Sequence, residues 1–455
     1  MGEVAALAGP AVLSMLSVTL MWTSDTFFVG RLGTAEQGAV GFSGAVAWTF
    51  CSLIAGTLSA VQIFVAQHVG AGSRKGAGQM TWQGMYVGLL AAVPIAIIAS
   101  FAVPIFNALN VAPELLEPSV AYFRIRLLGA AGVFLTFALE GYLRGVGDTR
   151  TPMVVTFVAN GLNILLDYLL IFGHYGWPRL EVAGAAIGTI VAGFVQAATL
   201  FVIAERRALR EGHLTRPVLA PQRRQLLRLV RVGLPVGVQW VLEMGSWTVF
   251  TTLVAQISEV QAAAHQVAVA IVHISFMPGY GISIAATTLV GQYLGAGDRE
   301  SALRSARNAL RLAMIFMTAM GVGFLVARRE LIEIFNQDPA VVAVGARLLV
   351  FAALFQIFDA MNMVLSGVLR GAGDTRFPMI TAILMAWAVF VPLVWLLCVR
   401  LDQGAAGGWF AALIWIAGLA LVLRHRFVRG RWMEKLLVER TNERADIGSP
   451  MESER

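Results

Sequence analysis

The sequence has few charged residues and few cysteines. Asp, Glu, Lys and Arg make up only 13% of its 455 residues, about half the charged fraction of a typical soluble protein. This shortage excludes an ordinary soluble domain. Cys51 and Cys398 are the only cysteines, and both lie inside apolar segments. We therefore predict neither a disulfide framework nor a cysteine metal site.

Motifs of two other function classes are also missing. The sequence contains no GxxxxGK[ST] segment, which argues against ATP as an energy source. It contains no DDxxD-like acidic cluster either, which a membrane enzyme acting on polyprenyl lipids would need. The pI near 9.9 would suit nucleic-acid binding, but the basic residues follow the apolar segments. We therefore expect no nucleic-acid partner.

Apolar residues are abundant, at 58% of the chain, and occur in runs of about 20 or more, long enough to cross a bilayer. The first run begins within five residues of Met1 without a basic n-region, which favours a spanning helix over a cleavable signal peptide. The runs predict an all-α integral membrane protein. Its twelve transmembrane helices are expected at 5–30, 40–67, 82–107, 118–143, 152–173, 183–205, 230–257, 262–293, 309–327, 341–368, 377–399 and 405–423.

The chain also contains an internal repeat. LRGVGDTRTPM at 143–153 recurs as LRGAGDTRFPM at 369–379, and FVAQHVGAG at 64–72 recurs as LVGQYLGAG at 289–297. The two pairs have nearly the same offset, which indicates two parallel six-helix repeats, an arrangement typical of transporters with a site between two halves. The predicted domains are an N-terminal bundle over 1–205, a basic cytoplasmic linker over 206–229, a C-terminal bundle over 230–425 and a cytoplasmic tail over 426–455 that is disordered at its end.

Charge predicts the orientation of the helices. Lys and Arg are concentrated after the even-numbered spans and in the linker, whereas the other side carries only eight of them. The positive-inside tendency then places the protein in the cytoplasmic (inner) membrane with both termini in the cytoplasm. We expect the arginines of the linker to meet anionic lipid headgroups.

The LRGxGDTR motif is typical of helix punctuation. Gly145 and Gly147 would end one helix, Asp148 or Thr149 would cap the next, and Pro152 would occupy its first turn. The second copy repeats the arrangement with Gly371, Gly373, Asp374, Thr375 and Pro378. The motif is expected to contact no substrate. Four arginines are expected to anchor the cytoplasmic face: Arg144, Arg150, Arg370 and Arg376.

Acidic residues inside the spans are the strongest functional candidates, because a buried charge is costly and must bind a proton or a cation. Asp25 and Asp167 fall at comparable depth in the first half, with Asn163 one turn from Asp167 and Thr189 nearby. These oxygens suit a hard cation or a shared proton; the alternative is a polar network that only packs helices. We expect no Lys or Arg at this depth. Glu140, four residues before Arg144, is interpreted as an ion-pair partner.

The second half carries Glu243 and Asp359 within spans 7 and 10, which are further cation or substrate candidates. Aromatic residues near these acids could form a wall for lipophilic cations, although packing is the commoner role of such residues: Trp22, Trp240, Trp247, Phe276, Tyr280 and Phe358. His265 and His273 in span 8 are interpreted as hydrogen-bonded packing residues.

Taken in order, these motifs resemble the multidrug and toxic compound extrusion (MATE) transporters of the NorM and DinF types, over essentially all twelve spans. Further marks of the resemblance are SDTFFVGRLG at 24–33, GLPVG at 233–237, AAHQVA at 263–268 and PGYGIS at 278–283. The resemblance implies two six-helix bundles in a V that exchange a drug for an inward-moving cation. It implies coupling-ion binding at Asp25, Asn163, Asp167 and Thr189, as in DinF-type members, and at Glu243 and Asp359, as in NorM-type members. The subtype stays open.

We therefore predict a secondary antiporter, not an enzyme, that exports amphipathic organic cations in exchange for H⁺ or Na⁺. It would act as a monomer without a cofactor, and Na⁺ would be bound by Asp25, Asn163 and Asp167. Two alternatives remain. One is a lipid-linked oligosaccharide flippase of the same superfamily, which usually has two further spans and a basic cavity. The other is a membrane enzyme acting on polyprenyl lipids.

Overall fold

The computed structural model describes residues 1–211 and 221–438, and within these ranges it contains helices and no β-strand. Its twelve long helical segments correspond one to one with the twelve predicted spans. We label them α1 Gly2–Gly30, α2 Thr34–Gly70, α3 Arg74–Ser100, α4 Pro113–Leu128 with Ala130–Gly145, α5 Arg150–Phe172, α6 Glu181–Glu211, α7 Arg223–Ala255, α8 Glu259–Ala296, α9 Arg299–Val326, α10 Pro339–Gly371, α11 Arg376–Arg400 and α12 Gly404–Val428. The predicted all-α membrane fold is confirmed.

Ten of these helices are long and apolar enough to cross a membrane, and α4 passes as a pair of helices bent by 45°. The remaining segment, α7, is 33 residues long but interrupts its apolar sequence with polar residues, Gln239 and Glu243 among them. These polar side chains lower the hydropathy of α7, and they belong to the candidate site described below. α11 contains two wide π-helical turns, at Met385–Phe390 and Leu396–Arg400.

The predicted linker and tail are partly helical. α6 continues to Glu211 and α7 begins at Arg223, so helices enter the 206–229 segment from both sides. In the tail, α12 continues to Val428 and a 3₁₀ turn follows at Arg431–Glu434. Residues 212–220 and 439–455 lie outside the described residues, so the expected disorder at the end of the tail stays a prediction.

Both ends of the described chain and all four repeated motifs lie at one end of the bundle, which we call the basic end. The halves meet through α1 against α8 and through α2 against α7 and α8. Gly56 and Gly237 face each other there without side chains between them, and small residues of this kind let membrane helices approach closely. Hydrogen bonds and ring contacts join the halves from Phe137–Trp240 at mid-depth to the basic end.

Both LRGxGDTR loops have the predicted glycine turns, but the predicted cap is present only in the first, because Asp374 pairs with Arg426 and Lys435 instead. Gly147 and Gly373 adopt left-handed backbone conformations, with φ of 91° and 88°. Asp148 caps α5 by accepting the Thr151 backbone N–H at 2.9 Å. Anchoring of the cytoplasmic face by four arginines stays a prediction: Arg150 and Arg376 are exposed, whereas Arg144 is buried and Arg370 half-buried. Arg144 and Arg370 lie in the last turns of α4 and α10, before the glycine turn of each loop, and this position directs their side chains into the bundle.

Candidate cation and substrate sites

The structure brings Asp25 and Asp167 together. α1 packs against α5, Asp167 is fully buried, and only 7% of Asp25 is exposed. Their carboxyl groups are neighbours that act on each other electrostatically. Two carboxylates in contact inside an apolar bundle repel each other unless a proton or a cation lies between them. This pair is therefore a candidate site for a proton or a cation.

Asn163 joins the pair from the same face of α5. Its Nδ2 donates to Asp167 Oδ1 at 3.4 Å. Three buried oxygens have no hydrogen-bond partner: Asp25 Oδ1, Asn163 Oδ1 and Asp167 Oδ2. Leaving one buried acceptor unsatisfied costs about 1–3 kcal/mol. The described ranges contain no group of three or more His, Cys, Asp or Glu side chains suited to a metal, so the candidate ligands here are two carboxyls and one amide.

Thr189 lies on α6 near this cluster, but its hydroxyl is engaged elsewhere. Thr189 Oγ1 donates to the Ala185 carbonyl of its own helix at 2.9 Å. The neighbouring Gly188 is the residue that lies against the pair, because a Cβ at Gly188 would be 2.6 Å from Asp167 Oδ1. The glycine therefore makes room for the carboxylate, a role that sequence analysis did not assign.

Arg126 is a second residue that sequence analysis missed. It is half-buried on α4 and acts electrostatically on both Asp25 and Asp167. Its guanidinium carbon lies 5.9 Å from the centre of the buried Tyr122 ring. The expectation that no Lys or Arg lies at the depth of the acids is wrong, since Arg126 lies inside α4, just before its bend, and acts on both carboxyl groups. The spacing of Tyr122 and Arg126 by four residues was the available signal.

A polar ladder continues from the pair toward the basic end between α1 and α5. Asn160 donates to Ser17 at 2.5 Å, and Ser14 donates to Thr156 at 3.4 Å. Gln196 of α6 donates to Thr156 at 3.1 Å and to Glu140 at 3.4 Å. Glu140 pairs with Arg144 at 2.7 Å. The predicted i,i+4 ion pair is confirmed, and the acid cluster is part of a longer polar contact between helices.

The acids of the second half are arranged differently. Glu243 accepts a hydrogen bond from Gln239 at 3.0 Å, one turn away on α7. Asp359 is buried on α10, and the amide side chain of Asn362, one turn away, is its neighbour. Glu243 and Asp359 influence each other electrostatically without a hydrogen bond between them. Each therefore has its own local partner, and the two form no shared site like that of Asp25 and Asp167.

A continuous row of aromatic rings crosses from one half to the other. Successive ring centroids are 6.2–6.5 Å apart. The row runs through His273, Phe276, Tyr280, Trp240, Phe137, Trp48 and Trp22. Four of the six predicted wall residues belong to it. Sequence analysis missed Phe137 and Trp48, whose contact with the others depends on how the halves meet.

The other two predicted wall residues pack in the core of the second half. Trp247 contacts the rings of Phe250, Phe390 and Trp415, and Phe358 packs against the same cluster. His265 bonds to Thr251 at 3.0 Å and to Trp409 at 3.1 Å, as expected of a packing residue.

Comparisons with known proteins agree with this architecture. The MatE family model matches residues 10–169 and 235–396, one block in each half. The chain is 31% identical to the multidrug resistance protein PmpM of Pseudomonas aeruginosa, over 94% of this chain and 91% of that protein. It is 29% identical to a probable multidrug resistance protein NorM of Thermotoga maritima, over 96% of this chain and 94% of that protein.

Solved structures share the fold. One, described as the outward-facing conformation of a multidrug resistance MATE family transporter, superposes with a TM-score of 0.86 at 21% identity, covering 95% of this chain and 96% of that one. Another, a MOP superfamily transporter from Pyrococcus furiosus described as having a binding pocket of reverse polarity, gives 0.85 at 22% identity with the same coverage. Because the family model matches both repeats and PmpM is similar over nearly the whole chain, the chain belongs to the MatE family and is a membrane transporter, which sets aside the polyprenyl-lipid enzyme.

Proposed function

We propose that this transporter exports amphipathic organic cations in exchange for H⁺ or Na⁺ bound at Asp25, Asn163 and Asp167. The observation that supports coupling most strongly is the buried carboxyl pair with three unsatisfied oxygens. A proton or Na⁺ would complete this site, since both bind to oxygen ligands. The proposal needs no cofactor. Thr189 contributes at most through its helix.

Coupling requires that the ion and the substrate stabilise different conformations, because a ligand with equal affinity for both shifts neither. The pair lies between α1 and α5, and α1 also packs against α8 of the other half. Neutralising the pair changes how closely α1 can approach α5. This change can then be transmitted to the interface between the halves.

The substrate class rests on the aromatic row and the second-half acids. Ring faces attract organic cations, with about 0.5–2 kcal/mol for each contact, and Glu243, one turn from Trp240 on α7, is half-buried beside the row. The relatives' names as multidrug resistance proteins agree with a broad substrate range. We assign Glu243, Asp359, Trp22, Trp240, Phe276 and Tyr280, with the added Trp48 and Phe137, to the substrate path.

We place the protein in the cytoplasmic membrane as a monomer, with its basic end in the cytoplasm and in contact with anionic lipid. Lys75 and Glu114 are exposed near opposite ends of the bundle. In a background with Cys51 and Cys398 replaced, a cysteine at Lys75 should react with an impermeant maleimide only from the cytoplasmic side. A cysteine at Glu114 should react only from outside, and the reverse pattern would invert the orientation.

The transport proposal is tested in proteoliposomes loaded with a fluorescent lipophilic cation and driven separately by a pH gradient and a Na⁺ gradient. We expect one gradient, but not an equal membrane potential alone, to drive movement in the wild type and not in Asp25→Asn. Equal transport without either gradient would contradict coupling. Movement of a polyprenyl-linked oligosaccharide instead would favour the flippase, for which twelve helices and an acidic pair are poor support.

A further inference from the structure

The repeated motifs bond to each other across the two halves in a reciprocal pattern. Gln67, in the first-half VAQHVGAG segment, donates from Nε2 to the Gly371 carbonyl of the second-half LRGAGDTR loop at 2.9 Å. Gln292, its counterpart in the second-half VGQYLGAG segment, donates from Nε2 to the Gly145 carbonyl of the first-half LRGVGDTR loop at 2.8 Å. Each half therefore donates one glutamine N–H to the other half and accepts one at a glycine carbonyl.

Paired glycines make these contacts possible. A side chain on Gly70 would collide with the Gln292 carbonyl, and a side chain on Gly295 would collide with the Gln67 carbonyl. Gly70 and Gly295 also occupy matching positions in the two repeated segments. The backbones of α2 and α8 thus touch where the glutamines cross.

The two glutamine contacts, which we call the Gln67 arm and the Gln292 arm, differ in burial and in their further partners. Gln67 is fully buried and its Oε1 also accepts the Leu437 backbone N–H at 2.9 Å. Leu437 belongs to the segment after α12, which is tied to the second half by Lys435–Asp374 at 2.7 Å. Gln292 is half-buried. The Gln67 arm therefore has an additional contact from the end of the described chain.

We propose that the hydrogen bonds of Gln67 and Gln292 hold the basic end closed, and that both must break before that end opens. We call this pair of contacts the latch. The proposal rests on the alternating movement of the halves in the proposed function. In the closed state each amide N–H and each glycine carbonyl is paired inside the contact. In an open state water would pair them, so removing a donor penalises only the closed state.

The experiment measures the distance between spin labels at Lys75 and Glu300, exposed counterparts in the two halves at the basic end, by pulsed electron resonance. It uses Gln67→Leu, Gln292→Leu and the double variant in the background with Cys51 and Cys398 replaced. Gln256→Leu, an exposed glutamine at the other end of α7, is the matched control. No substrate or ion gradient is applied.

Each latch variant should raise the ratio of open to closed molecules about 5- to 150-fold. Gln67→Leu should exceed Gln292→Leu, and the double variant should exceed both, because the arms bond to separate carbonyls. The control should match the wild type. In transport assays the latch variants should change kcat more than KM.

Unchanged distance distributions in both folded single variants would overturn the latch, even if transport is normal. An open shift without any coupled transport would leave the latch standing and remove the proposed function instead. Should Gln67→Leu fail to fold, the less buried Gln292→Leu decides the question alone, with its thermal unfolding in detergent compared with that of Gln256→Leu.

Discussion

The two halves share one backbone plan but carry their acids in different ways. In the first half, Asp25 and Asp167 share one buried contact whose oxygens lack partners. In the second half, Glu243 and Asp359 stand apart; Glu243 accepts a hydrogen bond from Gln239, and Asp359 has the amide of Asn362 as its neighbour. The first arrangement leaves the carboxyl oxygens themselves unpaired, whereas in the second the unpaired buried oxygen belongs to the amide of Gln239. The halves are therefore suited to different tasks.

The repeat itself shows how this difference arose in the sequence. When the two copies are aligned on the VAQHVGAG and VGQYLGAG segments, Pro10 of α1 corresponds to Pro235 of α7, but Asp25 corresponds to Phe250 and Glu243 corresponds to Val18. The glycines and glutamines of the basic end are retained in both copies, while the buried acids are not. Duplication thus preserved the parts that bend and meet, and the chemistry was placed in each half separately.

The strongest test of the comparison is removal of the paired charges. Asp25→Asn or Asp167→Asn keeps the side-chain size while removing a titratable group, so we expect coupled efflux to fall below about a tenth of wild type, the loss that about 1.4 kcal/mol corresponds to. The double variant should be little worse than either single variant, because the two residues act as one site. Initial rates in proteoliposomes, normalised to folded protein, measure this, and near-wild-type rates would remove the pair from the coupling site.

The acids of the second half should have a smaller effect. Glu243→Gln and Asp359→Asn should weaken efflux by about tenfold or less, chiefly through KM and substrate range, since loss of one charged contact to a substrate costs about 1 kcal/mol. The response of the labelled basic end to pH or Na⁺ should persist. If these variants lose that response while Asp25→Asn keeps it, the roles of the halves are reversed.

A substitution at Gly188 tests whether the carboxyl pair needs the space beside it, without changing any polar group of the pair. Gly188→Ala places a Cβ against Asp167 Oδ1, and overpacking of this kind costs about 1–3 kcal/mol. Ion-dependent transport should therefore drop severalfold. Thr189→Val, next in sequence, removes a hydroxyl that is bonded only within α6 and should change transport less than twofold, within about 0.4 kcal/mol. Dose–response curves for H⁺ and Na⁺ compare the two, and a larger loss in Thr189→Val would assign its hydroxyl to the ion.

The smallest expected effect concerns Arg126. Its positive charge opposes a cation at the pair, so Arg126→Gln should increase the apparent affinity for the coupling ion by a few-fold, on the order of 1 kcal/mol at a half-buried site. Arg124→Gln, an exposed neighbour on the same helix, is the control and should have no effect. A decrease in affinity would mean that Arg126 organises the pair rather than opposing the ion.

Much of the fold was predictable because apolar run length and an internal repeat act over short stretches of sequence. The twelve helices, the glycine turns and the Glu140–Arg144 pair all follow from such local patterns. Helix packing, which acts between distant parts of the sequence, determines the contacts of Gly188, Arg126, Trp48 and Phe137. It also places Trp247 in the core of the second half instead of in the predicted wall. The crossed glutamines were visible as a repeat, but their bonding to the opposite half was not.

The aromatic row gives the protein a built-in optical signal. Trp22, Trp48 and Trp240 are members of the row and none is fully buried, whereas Trp409 and Trp432 are enclosed in the second half. Bound molecules or a movement of the halves would change the polarity around the first three indoles and leave the two enclosed ones unchanged. The emission spectrum of the unlabelled protein should therefore shift in only part of its intensity.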